Sequence, residues 1–175
     1  MRAKLIAFSI LLLTVTAAHA QFAIGVAFTS QHITQEPYAT AGNQMSSWIY
    51  GPSFSFQGET GKIVKFGFDT RVSLLNAGGV GVNSATIGPR LGVHTPMIGK
   101  FYGEFLLGVM NVQPSAGRPH TGHMDNAWVV GLDHTVAPHI DWRVFEYAYS
   151  RVFSTGGYAN EDIRSQISTG VLLRF

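Results

Sequence analysis

From Phe22 onward the chain alternates between bulky apolar residues and small, polar or charged ones at a period of two. This is the repeat of a strand with one apolar face. It predicts eight strands, over residues 22–31, 47–57, 62–74, 84–94, 99–111, 126–136, 139–152 and 163–175. The first sets Phe22, Ile24, Val26 and Phe28 against Ala23, Gly25, Ala27 and Thr29. In the second, Trp48, Tyr50, Pro52, Phe54 and Phe56 oppose Ser47, Gly51, Ser53, Ser55 and Gln57, with Ile49 out of phase. The third sets Val64, Phe66, Phe68 and Val72 against Lys65, Gly67, Asp69, Arg71 and Ser73. No helical periodicity competes with this pattern.

One face is therefore bulky and apolar, the other small, polar or charged. Eight strands close a barrel whose interior holds only its own side chains, too little volume for so many Phe and Trp rings. The volumes fit the opposite arrangement, with glycines, serines and charges toward the axis and aromatics outward. That arrangement is an eight-stranded antiparallel up-and-down transmembrane β-barrel, whose strands need about 9–11 residues each. The links support it: they run QHITQEPYATAGNQMS, GETG, NAGGVGVN, TPMIG, the stretch from Val112 to Asp125, APH and STGGYANED. Short links fall on one side and longer ones on the other, the sorting of periplasmic turns and external loops. Aromatics near strand ends then form interfacial girdles, with Phe22, Phe54, Phe56, Phe66, Phe101, Trp142 and Phe175 on the short-turn side and Phe28, Trp48, Tyr50 and Trp128 on the other. The closing TGVLLRF places Phe175 outward, where it completes the ring against the first strand.

The start of the chain changes the address. Arg2 and Lys4 precede an apolar run from Leu5 to Val15 and the small-residue pattern Ala18-His19-Ala20, the order of features in a cleaved secretory signal peptide. Cleavage before Gln21 divides the chain into a signal peptide, 1–20, and a barrel domain, 21–175. Without Arg2 and Lys4, the twelve basic residues fall to ten, equal to the ten acidic ones. No clustered basic face remains for nucleic acid. Cysteine is absent, so an exported domain of this size holds together without disulfides.

Taken together, the leader, the eight alternating strands, the sorted links and the closing IRSQISTGVLLRF resemble the small eight-stranded outer-membrane β-barrels of the OmpA type, in the form without a periplasmic domain. The resemblance implies an outer-membrane location, contact with outer-membrane lipid and lipopolysaccharide, a monomer, and recognition of the last strand, ending at Phe175, by the barrel-assembly machinery. It implies a structural, envelope-integrity or surface-interaction role through the external loops, and no cofactor. The fold hosts several functions, so two alternatives stand beside this reading: a barrel enzyme acting on outer-leaflet lipid A, and a soluble lipocalin-like barrel with an apolar cavity.

Candidate chemistry concentrates on the inward face. Lys65, Asp69, Arg71, Arg90, Glu104 and Asp133 fall there, with His94, and strand seven, HIDWRVFEYAYSR, adds Arg143. Strict alternation would send Glu146 outward into hydrocarbon, at a cost of a few kcal/mol near the midplane, so a β-bulge between Arg143 and Glu146 is expected to return it to the interior. These mixed charges must pair, because an unpaired buried ion is strongly unfavourable, and they are expected to fill the tube as a salt-bridge plug. Phe22, Trp48, Phe66, Phe101, Trp128, Trp142 and Phe175 are the expected lipid-interface aromatics. In RPHTGHMD, His120 and His123 stand three apart near Asp125, a ligand set of the right chemistry for a transition metal but on a loop with nothing to fix it. His134 faces outward without a serine partner in sequence, so no catalytic residues are assigned.

Overall fold

The computed structural model describes residues 21–34, 46–77, 80–113, 121–153 and 163–175. These form β1 (Gln21–Thr34), β2 (Ser46–Thr60), β3 (Val64–Ala77), β4 (Val80–Thr95), β5 (Gly99–Gln113), β6 (Thr121–Ala137), β7 (Ile140–Phe153) and β8 (Ile163–Arg174). Each strand pairs antiparallel with the next, and β1 pairs with β8, giving a closed up-and-down barrel. The seam runs Ala23↔Arg174 to Ile33↔Arg164, and the Phe175 amide extends it by donating to the Phe22 carbonyl at 2.9 Å. Closure removes sheet edges, so backbone groups find lateral partners around the ring. The signal peptide expected over 1–20 lies outside the described residues, as do 35–45, 114–120 and 154–162, which fall in three of the expected external loops.

Two boundaries differ from the sequence reading. The link NAGGVGVN shrinks to residues 78–79, because β3 runs to Ala77 and β4 starts at Val80, paired across from it. Both ends of the stretch from Val112 to Asp125 are strand: β5 extends to Gln113, and β6 begins at Thr121. The cause in both cases is cross-strand pairing, which continues past the last clear alternation as long as a partner backbone is present. The links on the other side stay short, at 61–63, 96–98 and 138–139. Gly61 and Gly99 take positive φ (114° and 117°), a region glycine enters without steric cost. His139 (φ 67°) is the non-glycine exception. It is pinned by β8: the Arg174 amide donates to its carbonyl at 2.8 Å, and its Nδ1 lies 3.1 Å from the Arg174 carbonyl.

Proline has no N–H to give a ladder, and a closed barrel has no edge strand to hide it in. The chain answers twice with Gly-Pro. At Gly51-Pro52 the β2–β3 pairing skips from Tyr50↔Asn76 to Ser53↔Ser73. At Gly88-Pro89 the β4–β5 pairing skips from Ile87↔Leu107 to Arg90↔Glu104. In each, the neighbouring backbone approaches the glycine so closely that a Cβ would collide with a carbonyl, of Leu74 or of Phe105.

The expected bulge is present. Leu132 pairs with Phe145 and Asp133 with Arg143, while on the other side Arg143 pairs with Gly170 and Glu146 with Ser168, so β7 carries one extra residue between Arg143 and Glu146. Thr169 Oγ1 holds the kink by donating to the Arg143 carbonyl at 2.9 Å. Arg143 and Glu146 are both buried, while Trp142, Phe145 and Tyr147 are exposed.

Along β2 and β3 the interior changes character in three layers. Nearest the short links it is ionic. Above lies a belt of hydroxyls, in which Thr29 Oγ1 meets Ser53 Oγ at 2.7 Å and Ser168 Oγ at 3.0 Å, and Ser53 donates to Ser73 at 2.8 Å. Higher still Ile49, Leu75, Val82 and Met110 form a buried apolar cluster. The interior is thus not polar throughout, and the out-of-phase Ile49 belongs to this layer.

Replacing Gly88 with Val places a branched side chain against the Phe105 carbonyl. We expect a loss of about 2 kcal/mol or more, read as a lower urea midpoint and less compact, heat-modifiable species after refolding.

Candidate functional site

Alternation brings one side chain in two to the axis, and near the short-link end most of these are charged. Arg90, on β4, is at the centre. Its Nε donates to Glu59 Oε1 at 2.6 Å, its Nη2 to Asp133 Oδ2 at 2.7 Å and its Nη1 to Glu104. One guanidinium thereby joins β2, β5 and β6. Its Cζ also lies 3.6 Å from the centroid of the Tyr102 ring, a cation–π contact out of water. Gly131, the register partner of Tyr102, makes room for that ring; a Cβ there would overlap it.

Arg71, on β3, reaches across the lumen to β7. Its Nη1 donates to Glu146 Oε1 at 2.5 Å, and its Nη2 donates to Glu104 Oε2 and Asp69 Oδ2, both at 3.1 Å. Arg143 closes the circuit, with Nε at 3.2 Å from Asp133 Oδ1 and Nη1 at 3.0 Å from Glu146 Oε2. The Tyr102 hydroxyl donates to Glu146 at 2.7 Å. Without the bulge Glu146 would lie on the opposite face from all three donors.

All eight charged residues singled out from the sequence are on the inner face. Seven of them join this network; Lys65 stands apart at the mouth, 3.9 Å from Glu59 and donating to Gln21 Oε1 at 2.7 Å. His94 is inward by register but exposed at the same mouth. Sequence reasoning missed Glu59, Lys100, Tyr102 and Asp141 as members. Lys100 Nζ donates to both Glu59 oxygens, at 2.9 and 2.8 Å. Asp141 lies 3.0 Å from Arg174 Nε and accepts from Thr135 at 2.7 Å. Glu59 was assigned to a turn, yet it shares parity with Gln57 and Ser55; carrying the alternation to the end of β2 would have found it.

The seven aromatics expected at the interface all point outward, from Phe22 at 38 % exposure to Phe175 at 64 %, with Trp48, Phe66, Phe101, Trp128 and Trp142 between. Phe22 stacks on Phe56, centroids 5.8 Å apart. Trp128 is not at a strand end: because β6 starts at Thr121, it sits mid-strand against Phe105, with ring centroids 4.7 Å apart. Phe54 is likewise mid-strand, paired with Val26 and Val72.

His120 lies outside the described residues. His123 and Asp125 belong to β6 rather than to a loop, and no group of three or more metal-ligating side chains occurs among the described residues. His134 Nδ1 lies 3.1 Å from the Ile98 carbonyl.

The network seals the tube. Cavities of only about 20 and 10 Å³ flank it inside the barrel, room for about one water each. Asp69, Glu104 and Glu146 are buried within it. The lipocalin-like alternative fails on the same geometry, since the interior holds ion pairs and the exterior holds the large apolar side chains.

No family model matches the chain, and no curated protein matches it in sequence. Solved structures do. Neisserial surface protein A (NspA) superposes with a TM-score of 0.58 at 16 % identity, over 88 % of this chain and 97 % of that one. Ail, the attachment invasion locus protein of Yersinia pestis, superposes with a TM-score of 0.55 at 11 % identity, over 90 % and 99 %. The fold is therefore that of the small eight-stranded outer-membrane β-barrels.

Truncating Arg90 to Met removes one cationic partner from each of Glu59, Glu104 and Asp133. We expect a loss of about 3–5 kcal/mol, measured by urea unfolding in lipid vesicles through Trp fluorescence. Adding Glu104→Gln to that variant is expected to recover part of the loss.

Proposed function

We propose that the chain is an integral outer-membrane β-barrel that contributes to envelope integrity or surface interaction through its first, third and fourth external loops, and that it acts as a monomer without a cofactor. The observation that carries this reading is the exterior. Large apolar side chains from all eight strands are exposed together, among them Ile24, Phe66, Ile87, Val109, Trp128, Phe145 and Val171, far more than a soluble surface tolerates. The outward row turns polar toward the loop side, at Asn76, Asn83, Asn111 and Arg151, which bounds the band. Strands of 12 to 17 residues exceed the about 9–11 needed to span hydrocarbon, so their upper ends would stand clear of the membrane and carry the loops outward.

The sealed interior favours a non-conducting role. The names of the similar structures point the same way by analogy: one is a surface protein, the other an attachment protein also solved with the heparin analogue sucrose octasulfate. Lipopolysaccharide around the band, and assembly through the strand ending at Phe175, belong to the same proposal, as does cleavage of residues 1–20. No observation favours a lipid A enzyme.

The test is heat-modifiable migration on a detergent gel, combined with protease cleavage on intact cells. Cleavage confined to 35–45, 114–120 and 154–162 is the expected result; cutting at 61–63 or 138–139 on intact cells would reverse the orientation. Arg placed at Val130, an exposed mid-strand position, is expected to cost about 2–4 kcal/mol in vesicles. In a soluble barrel it would cost nothing.

A further inference from the structure

At the short-link end the barrel opens into a recess of about 370 Å³, walled by residues from seven strands and the 61–63 link. Its charges do not balance. Lys62, Lys65, Lys100 and Arg174 line it, and only two carboxylates at this level are free to answer them. Glu59 is shared among Arg90, at 2.6 Å, Lys100, at 2.8 Å, and Lys65, at 3.9 Å, while Asp141 is taken by Arg174. Asp133 also touches the recess, 3.5 Å from Lys100, but its two oxygens are already held by Arg90 and Arg143 at 2.7 and 3.2 Å. A concave wall concentrates the field of such a surplus.

Two side chains at the rim, Lys62 and His94, have no hydrogen-bond or ion-pair partner among the described residues. Lys62 projects from the link, and the link is fixed: Gly61 takes φ 114°, and the His94 amide donates to the Ile63 carbonyl at 2.8 Å. That same bond sets the His94 backbone beside Lys62, and both side chains line the recess. An ammonium and an imidazole N–H, placed at the lip of a cationic recess, are donors waiting for an acceptor.

We propose that this recess binds a compact oxyanion, a carboxylate or a phosphate group, with Lys62 and His94 as the entry contacts and Lys65 and Arg174 as the deeper positive wall. Its volume suits a small anionic group or the terminus of a short chain, not an extended polymer. The chemistry is common to a soluble molecule and to an anionic phospholipid headgroup. Which compartment it opens to, the periplasm, rests on the membrane orientation proposed above; the binding chemistry does not.

The refolded barrel in an uncharged maltoside micelle is titrated with inorganic phosphate and with succinate, against chloride at matched ionic strength, by calorimetry. Saturable binding of either anion beyond chloride is expected. Lys62→Gln combined with His94→Gln should weaken it about tenfold, the loss of one or two charge-assisted contacts. Neither side chain has a partner among the described residues, so heat-modifiable migration of the variant should be unchanged. Heats indistinguishable from chloride, or equal binding by the variant, would overturn the site. Repeating the phosphate titration in nanodiscs with and without phosphatidylglycerol names the source: competition by the lipid assigns a headgroup, and undiminished binding assigns a soluble anion. A null titration with normal heat-modifiability removes the recess and leaves the membrane reading standing; the reverse result removes that reading alone.

Discussion

An ion inside this barrel finds most of its partners on other strands, because its immediate neighbours in sequence point the other way. That constraint shapes everything else. Arg90 and Arg71 each collect carboxylates from several strands, and Arg71 reaches the far wall at Glu146. Backbone hydrogen bonds tie each strand only to its two neighbours, so they resist unzipping but say little about the cross-section. The ion pairs run across it. They brace opposite walls, with the Tyr102 ring packed over Gly131 between them.

Such a network stabilises only as a whole. Its guanidiniums and carboxylates have left water, and their mutual attraction offsets that loss when nearly every member is paired. The bulge in β7 is the local cost of completing it. One extra residue, stitched by Thr169, turns Glu146 inward, where it accepts from Arg71, Arg143 and Tyr102. The hydroxyl belt and the Ile49–Leu75–Val82–Met110 cluster then fill the remainder of the tube. Those upper layers also enclose two charged side chains, Arg164, which donates to Met110 Sδ, and Asp125.

The exterior follows from the same sorting. With the charges spent inside, the outer face keeps rings and branched aliphatics, and the polar residues on it gather at the loop-side ends. At the other end the pairing runs short of carboxylates, and the mouth is left positive. The inside of this barrel is therefore a cohesive element through most of its length and a chemically open one only at its lower rim.

Period-two alternation in single strands was enough to read the strand number, the outward face, the sorting of links, the bulge and most of the charged row, because each depends only on neighbours along the chain. It could not set where pairing stops, so 80–83 and 121–125 were read as links although their partner strands hold them in the sheet. Nor could it show that Glu59 and Lys100 meet, or that a tyrosine lies over a glycine beneath an arginine. Those contacts join residues from different strands at one height of a closed ring, and height is fixed by the register between strands. The sequence by itself determined which side chains face the axis; the tertiary structure alone decided which of them touch, since that distance exists only once the barrel has closed.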